Sequence, residues 1–263
     1  MTAPNLFILG AQKAGTTYLA KVLADHPDVF FSDPKETMFF SRKRELTRGD
    51  YERYCREVFG AAKDQPWRAE GSTTYLQWPD ARDRLYSLVE GTPRFIVCLR
   101  QPVTKAVSFF IHNWRRDRYA PEARLSDTLD FGVELSPLRT SLYAEAIARW
   151  LDIYPRENFL FLKFDDLERD PATFVGKTTD FLRIPGARNI PQDQVNAGFA
   201  VVWEGNVLTI RSSSIRNRPK FAPAELEHLQ ALFEPDLRKT EELTGLDLSD
   251  WYSLPQFAPT LAR

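Results

Sequence analysis

The stretch LFILGAQKAGTTY at residues 6–18 decides the fold of this chain. An apolar run ends at Gly10, a short loop carries Lys13 and Gly15, and Thr16 opens a segment with the pattern of a helix. In a strand, glycine loop and helix start of this kind, backbone N–H groups point at an anion that the helix dipole also attracts. The stretch therefore predicts a phosphate-binding loop at a helix N-terminus.

The position of the lysine separates two enzyme classes. Gly10 and Gly15 fit the two glycines of the ATPase pattern G-x-x-x-x-G-K-[ST], but Thr16 follows the second glycine and the lysine, Lys13, lies inside the loop. A later strand ends in Arg100, at the place where such ATPases have an aspartate that helps to hold Mg²⁺. An arginine beside a phosphate site indicates direct pairing of its guanidinium with the anion.

The order of the predicted elements indicates the fold class. Strands are predicted at residues 5–10, 28–31, 67–70, 94–99 and 158–164, and those at 5–10 and 94–99 are expected to be buried. Their alternation with helices predicts an α/β, P-loop-like three-layer fold with a central, mainly parallel sheet flanked by helices. Ligands bind at the carboxyl ends of parallel strands. We therefore expect one sheet edge to collect the residues that follow the strands, Gly10, Ser72, Arg100 and Asp165.

The remaining segments are less regular. Helices are predicted at residues 16–24, 50–59, 79–89, 102–114, 140–153 and 170–182. Residues 185–219 have weak periodicity and are expected to form a long irregular loop. Apolar residues between Leu226 and Phe233 predict a final helix, which Pro235 is expected to end or kink.

Composition narrows the class of protein. The chain has 263 residues, of which 43% are apolar, and this predicts a single domain over residues 1–263. A net charge of −1 gives no general attraction for nucleic acid or an anionic membrane. Cys55 and Cys98 form no disulfide framework, and no signal peptide or membrane-length apolar run is evident. These features predict a cytoplasmic protein and leave its oligomeric state open.

Two motifs together resemble the nucleotide-binding segments of the sulfotransferases that use 3′-phosphoadenosine 5′-phosphosulfate (PAPS). They are QKAGTT at residues 12–17 and RQPVTKAVS at residues 100–108, and they are nearest to the heparan sulfate sulfotransferase branch and its bacterial relatives. The resemblance implies that Arg100 and Ser108 bind the 3′-phosphate, and that no metal is needed. It assigns the 5′-phosphosulfate to Gln12, Lys13, Ala14, Gly15, Thr16 and Thr17.

The segment KETMFF at residues 35–40 resembles the family segment whose glutamate is the proposed general base. The resemblance implies that Glu36 removes the acceptor proton, which a carboxylate within hydrogen-bond reach can do. It also implies that Lys35 contacts the sulfonate or lowers the pKa of its neighbour.

The segment EGSTTY at residues 70–75 resembles a family segment on the acceptor side of the site. The resemblance implies acceptor contacts by Ser72, Thr74 and Tyr75. Gly71 stands where the family has a lysine, so this side of the site lacks one positive charge that a heavily anionic glycan would bind.

Two further assignments depend on looser similarity, and a third, His112, depends on helix spacing. Ser141 is expected to touch the cofactor, and Arg216 or Arg218 is expected to bind the nucleotide from a basic loop before the last helix. His112 lies four residues after Ser108, so both share one helix face. His112 is therefore an alternative base, ranked below Glu36.

The sequence thus predicts a sulfotransferase that moves a sulfonate group from PAPS to a hydroxyl of a carbohydrate, lipid or small metabolite. In-line transfer would leave adenosine 3′,5′-bisphosphate (PAP), with Glu36 as the base and Lys13 stabilising the charge on the bridging oxygen. The alternative is a P-loop kinase or ATPase in which Asp165 holds Mg²⁺. A non-catalytic nucleotide-binding protein on the same fold is a third hypothesis.

Overall fold

The computed structural model describes residues 2–42, 45–120, 122–128, 136–191, 201–211 and 218–254. The chain forms two compact units. The first unit comprises Met1–Arg100 and Ala146–Val195, and the second comprises Gln101–Glu145 and Asn196–Arg263.

The first unit contains the central sheet. Its strands are β1 (Leu6–Gly10), β2 (Val29–Phe31), β3 (Trp67–Glu70), β4 (Arg94–Leu99) and β5 (Phe159–Lys163). Every pairing within this sheet is parallel, and the strand order is β2-β3-β1-β4-β5. Strands buried on both faces need continuous apolar runs, and β1 is buried along its whole length. The predicted α/β class with a mainly parallel sheet is confirmed.

Helices alternate with these strands along the chain. The α-helices are α1 (Thr16–Ala24), α2 (Arg48–Phe59), α3 (Pro79–Leu88), α4 (Pro102–Trp114), α5 (Ala144–Leu151), α6 (Phe164–Arg169), α7 (Pro171–Leu182) and α8 (Pro223–Thr244). Short 3₁₀ helices occupy Leu125–Thr128, Arg139–Ser141, Arg156–Asn158 and Ser249–Tyr252. No helix in the described ranges is both long and apolar enough to cross a membrane.

Local signals in the sequence explain where several helices begin. Thr47 and Asp50 form a capping box at the start of α2, in which each side chain bonds the backbone N–H of the other residue. At α7, the Asp170 carboxylate accepts hydrogen bonds from the N–H groups of Ala172 and Thr173, while Pro171 occupies the first turn.

The second unit contains α4, α8 and a small antiparallel sheet of β6 (Val201–Glu204), β7 (Val207–Ile210) and β8 (Lys220–Phe221). The expectation of a continuous irregular loop over residues 185–219 is wrong, because β6 and β7 form a hairpin. Its turn contains Gly205, whose φ of 58° suits a tight connection. The apolar residues of these strands pack in a core with α4 and α8.

Helices α5 and α8 differ most from the predictions. Helix α5 begins at Ala144, not at residue 140, because the Asp236 carboxylate caps it by accepting the N–H groups of Tyr143 (2.7 Å) and Ala144 (2.9 Å). Helix α8 continues through Pro235 to Thr244. Proline removes one helical hydrogen bond, whereas burial of the apolar residues before and after it supports the longer helix.

Candidate active site

The loop between β1 and α1 has the geometry of an anion-binding site. Gly15 is the N-cap of α1 with φ 83°, and Lys13 also lies in the left-handed region with φ 65°. A Cβ atom at Gly15 would lie 2.7 Å from Leu167 Cδ2, so both conformation and space require glycine there. The first N–H groups of a helix have no acceptor within it, and they are therefore available to an anion.

The remaining loop side chains differ in burial. Thr16 is buried and Thr17 is exposed, as the first two residues of α1. The amide oxygen of Gln12 is buried and has no hydrogen-bond partner among the described residues. Because buried polar groups are normally hydrogen-bonded, the Gln12 amide oxygen is available to accept a hydrogen bond from a ligand.

Arg100 is tied to the same loop. Its Nη1 atom donates to the Lys13 carbonyl oxygen at 3.1 Å, and its guanidinium carbon lies 4.5 Å from the centre of the Phe164 ring. The guanidinium therefore places positive charge where β4 ends, next to the turn that carries Lys13.

The carboxyl ends of the parallel strands form one edge, as predicted. Gly10 ends β1, Arg100 directly follows β4, and Ser72 and Asp165 lie two residues beyond the ends of β3 and β5. A Cβ atom at Gly10 would be 3.0 Å from the Thr73 carbonyl oxygen, which shows how closely the turn after β3 approaches the start of the phosphate loop.

Glu36 lies on the irregular segment that follows β2. Its Oε1 atom is 3.2 Å from Lys35 Nζ, and its Oε2 atom accepts a hydrogen bond from Thr73 Oγ1 at 3.1 Å. The Glu36 N–H group donates to the Gly71 carbonyl oxygen at 3.1 Å. Side-chain exposures of 20% for Lys35 and 29% for Glu36 leave this pair accessible to a ligand.

Lys35 also occupies part of the space next to Gly71. A Cβ atom at Gly71 would lie 3.6 Å from Lys35 Cε and 3.2 Å from Phe31 Cζ. The stem of Lys35 thus lies at van der Waals distance from residue 71, and the tighter approach is that of the Phe31 ring.

The segment after Glu36 is held by side-chain hydroxyl groups. The N–H groups of Met38 and Phe40 donate to Ser72 Oγ (2.9 Å) and Tyr75 Oη (3.1 Å). Ser72 and Tyr75 are fully buried. Thr74 is buried nearby, and its hydroxyl group bonds that of Ser41 at 2.9 Å. The acceptor contacts expected for Ser72, Thr74 and Tyr75 remain predictions; their observed contacts are with this segment.

Glu70, at the end of β3, is a completely buried acid that the sequence analysis did not single out. Its Oε1 atom accepts hydrogen bonds from Thr37 Oγ1 at 3.0 Å and from Ser72 Oγ, while Oε2 has no partner in the described parts of the chain. Burial raises the pKa of Glu70 to about 7, although the hydrogen bonds from Ser72 and Thr37 oppose the rise. The available signal in the sequence was an acidic residue at the end of a predicted strand.

The other predicted residues belong to the second unit. Ser108 and His112 are both half-buried and lie one helical turn apart on α4. Ser141 is completely buried, donates to the Pro137 carbonyl oxygen at 2.7 Å, and lies 3.4 Å from Lys105 Nζ.

The basic loop before α8 is described only in part. Arg218 forms an ion pair with Glu204 at 2.7 Å and donates to the Ile210 carbonyl oxygen at 2.9 Å. Arg216 lies outside the described residues. Nucleotide binding by Arg216, Arg218, Ser108 and Ser141, and a catalytic role for His112, stay predictions.

Comparison with known proteins identifies the family. The family described as "Sulfotransferase domain" matches residues 3–197, which is more than half of the chain. This chain belongs to the sulfotransferase domain family. It is 29% identical over 262 residues to mouse heparan sulfate glucosamine 3-O-sulfotransferase 6, covering 93% of this chain and 72% of that protein.

Solved structures agree with this assignment. The crystal structure of a sulfotransferase from Alicyclobacillus acidocaldarius is 27% identical, with a TM-score of 0.74 over 96% of this chain and 100% of that chain. Mouse sulfotransferase SULT7A1, solved in complex with PAP, shares the fold at 16% identity, with a TM-score of 0.50 over 91% of this chain and 82% of that chain. The chain is therefore a transferase, and the kinase alternative based on Asp165 does not describe its family.

Proposed function

We propose that this sulfotransferase moves the sulfonate group of PAPS to an acceptor hydroxyl by in-line transfer. One observation carries the proposal: Gly10 at the start of the phosphate loop lies against Thr73, and the Thr73 hydroxyl binds Glu36. An anion-binding loop and an accessible carboxylate thus approach each other at one edge of the sheet. Transfer from a phosphosulfate to a hydroxyl needs both groups.

The phosphate loop and Arg100 would hold the donor. The free N–H groups at the start of α1 suit the 5′-phosphosulfate, and the guanidinium of Arg100 suits the 3′-phosphate. As the S–O bond breaks, negative charge moves to the bridging oxygen. Lys13 would stabilise that charge, a form of electrostatic stabilisation that contributes strongly to catalysis. The bound PAPS would supply the activated sulfonate.

Glu36 would act on the acceptor. An attacking hydroxyl must lose its proton as it bonds to sulfur, and a carboxylate within hydrogen-bond reach can accept it. Thr73 fixes one carboxylate oxygen and Lys35 lies beside the other, so the side chain is oriented before the acceptor arrives. This orientation supports Glu36 as the base in preference to His112.

A glycan hydroxyl is the first acceptor to test. The curated relatives are named as heparan sulfate glucosamine 3-O-sulfotransferases, and we extend the glycan class, not that specific residue, to this chain. Gly71 contributes no charge to the acceptor side, which favours a glycan with few anionic groups. Lipid and small-metabolite hydroxyls are the other classes to test, and the cytoplasmic setting stays a prediction.

The test uses the full chain with sulfur-labelled PAPS and a panel of neutral and sulfated oligosaccharides, hydroxylated lipids and phenols. We expect label on at least one hydroxyl acceptor and a mass increase that corresponds to one sulfonate. Calorimetry should show that PAP binds without added metal and more tightly than ATP with Mg²⁺. Preferential binding of Mg²⁺-ATP would contradict the assigned donor, and PAP binding without any labelled product would support the non-catalytic hypothesis.

A further inference from the structure

The carboxyl group of Glu70 is in contact with the segment that carries Glu36. The side chain is completely buried, and Oε1 accepts hydrogen bonds from Thr37 Oγ1 at 3.0 Å and from Ser72 Oγ. Removing a carboxylate from water costs free energy, and such groups are hydrogen-bonded when they persist inside proteins. The proposed transfer reaction assigns no task to Glu70.

The same two hydroxyl groups accept hydrogen bonds from the backbone after Glu36. Met38 N–H donates to Ser72 Oγ at 2.9 Å, and Phe39 N–H donates to Thr37 Oγ1 at 3.3 Å. A hydroxyl group has one proton, so each can accept from the backbone while it donates to the carboxylate. Oε1 of Glu70 therefore fixes the direction of both hydroxyl groups and, through them, two consecutive backbone N–H groups.

These bonds hold a backbone conformation that is unfavourable by itself. Glu36 and Met38 have φ values of 66° and 50°, in the left-handed region that residues with a Cβ atom rarely adopt. Residues 36–39 belong to no helix or strand, so no regular hydrogen-bond ladder supports them. Strained residues persist where the surroundings determine their conformation. Here the surroundings are the turn after β3 and the buried acid at its start.

We infer that Glu70 is a positioning residue for Glu36: its carboxylate orders the hydroxyl groups of Thr37 and Ser72, which hold the backbone that presents the Glu36 side chain. The inference rests on the proposed function, because it takes Glu36 to be the group that accepts the acceptor proton. A carboxylate accepts stronger hydrogen bonds than a neutral carboxyl or amide group, so the ionised form of Glu70 holds the segment best.

Protonation of Glu70 should then slow transfer. The charged or titratable groups around Glu70 are Lys35, Tyr54 and Tyr75. Glu36 precedes Thr37, whose hydroxyl group donates to the Glu70 carboxylate. Burial raises the pKa of Glu70 to about 7, while nearby hydrogen bonds and the charge of Lys35 oppose the rise. We expect kcat to fall as the pH drops through this range.

The first test compares Glu70→Gln, which removes the charge and keeps the shape, with Glu57→Gln on the exposed surface of α2. We expect Glu70→Gln to lower kcat roughly 10- to 100-fold, the size of effect that a misplaced catalytic group produces, with unchanged KM for PAPS and Kd for PAP. The acid limb near neutral pH should also disappear. Glu57→Gln should match the wild type. Unchanged kcat, or equal losses of kcat and PAP affinity, would overturn the inference.

The second test is independent of catalysis. Hydrogen–deuterium exchange should show faster exchange of the Met38, Phe39 and Phe40 amides in Glu70→Gln, with no change in the phosphate loop. If the wild type transfers no sulfonate, the proposed function fails while this measurement still tests the hydrogen-bond network. Unchanged exchange would mean that Glu70 does not hold the segment.

A third pair of variants covers the case in which Glu70→Gln does not fold. Thr37→Val removes one hydroxyl group that donates to Glu70, whereas Thr37→Ser keeps it. We expect Thr37→Val to lower kcat and to accelerate amide exchange at residues 38–40. In Thr37→Ser, kcat and the exchange rates should stay close to those of the wild type. Equal kcat and exchange in the two variants would count against the inference.

Discussion

The phosphate loop and the segment that carries Glu36 lie at the same edge of the sheet, but their backbone conformations are determined by different contacts. The loop at residues 10–17 is continuous in sequence, and its conformation follows from Gly15 and the helix that begins after it. The segment at residues 32–42 has no regular structure, and its backbone is held by the distant turn at residues 70–75. Local rules therefore explain much of the first region, whereas the second depends on long-range contacts.

This difference predicts different responses to substitution. Changes in the loop should alter donor binding or the stabilisation of the leaving group. Changes around Glu70 should leave binding of the donor unchanged and slow the removal of the acceptor proton. The following predictions test that separation, in decreasing order of the expected free-energy effect.

Glu36→Gln should lower kcat about 10³-fold, because it removes a general base without changing the shape of the side chain. The Kd for PAP should not change, since Glu36 belongs to the acceptor side. Steady-state kinetics with labelled PAPS and calorimetry with PAP check both parts. A matching loss of PAP affinity would mean that Glu36 supports the phosphate loop and that the two regions do not act separately.

Stability should depend on pH through Glu70. Its pKa rises from 4.5 unfolded to about 7 folded, so its favourable contribution is complete below pH 4.5 and is lost as the pH rises through about 7. Relative to Glu70→Gln, the wild type should lose at most about 3 kcal/mol of unfolding free energy between those limits. Denaturant titrations at low and high pH measure this difference. A constant difference would mean that Glu70 titrates normally.

Lys13→Ala should lower kcat about 10²-fold or more, by analogy with removal of one oxyanion-hole donor. The control is Lys21→Ala, which removes an exposed lysine from α1 and should have little effect on kcat. Single-turnover kinetics would separate the chemical step from product release. Near-normal turnover in Lys13→Ala would contradict the role assigned to this lysine.

Gly15→Ala should lower the free energy of unfolding by about 2 kcal/mol, from left-handed strain and overlap with Leu167. Gly91→Ala is a matched control because Gly91 has a similar φ of 85° with no atom within 4 Å of the added Cβ. It should cost only the strain, about 1 kcal/mol. If chemical denaturation gave Gly15→Ala and Gly91→Ala the same loss of unfolding free energy, the Leu167 side chain would have moved aside without cost.

Much of the sheet was predictable because short strand-like runs, continuous and apolar in β1 and β4, alternate with helix patterns along the chain. Strands β1 to β5, the start of α1 and the edge that collects Gly10, Arg100 and Asp165 all followed from such patterns. The β6–β7 hairpin was missed because two strands of four residues are too short to produce a clear alternating pattern within the long segment at residues 185–219. The start of α5 was misplaced because Asp236, which caps it, lies far away in the chain.

The resemblance to a known family supplied the candidate base, Glu36. The sequence by itself determined most of the order of strands and helices along the chain and the phosphate loop with Lys13 and Gly15. Those features depend on neighbours within a few residues, where periodicity and glycine conformation are informative. Only the tertiary structure revealed how that base is held, since Thr37 and Glu70 are 33 residues apart in the chain. A hydrogen bond between residues so far apart forms only after the sheet has brought them together.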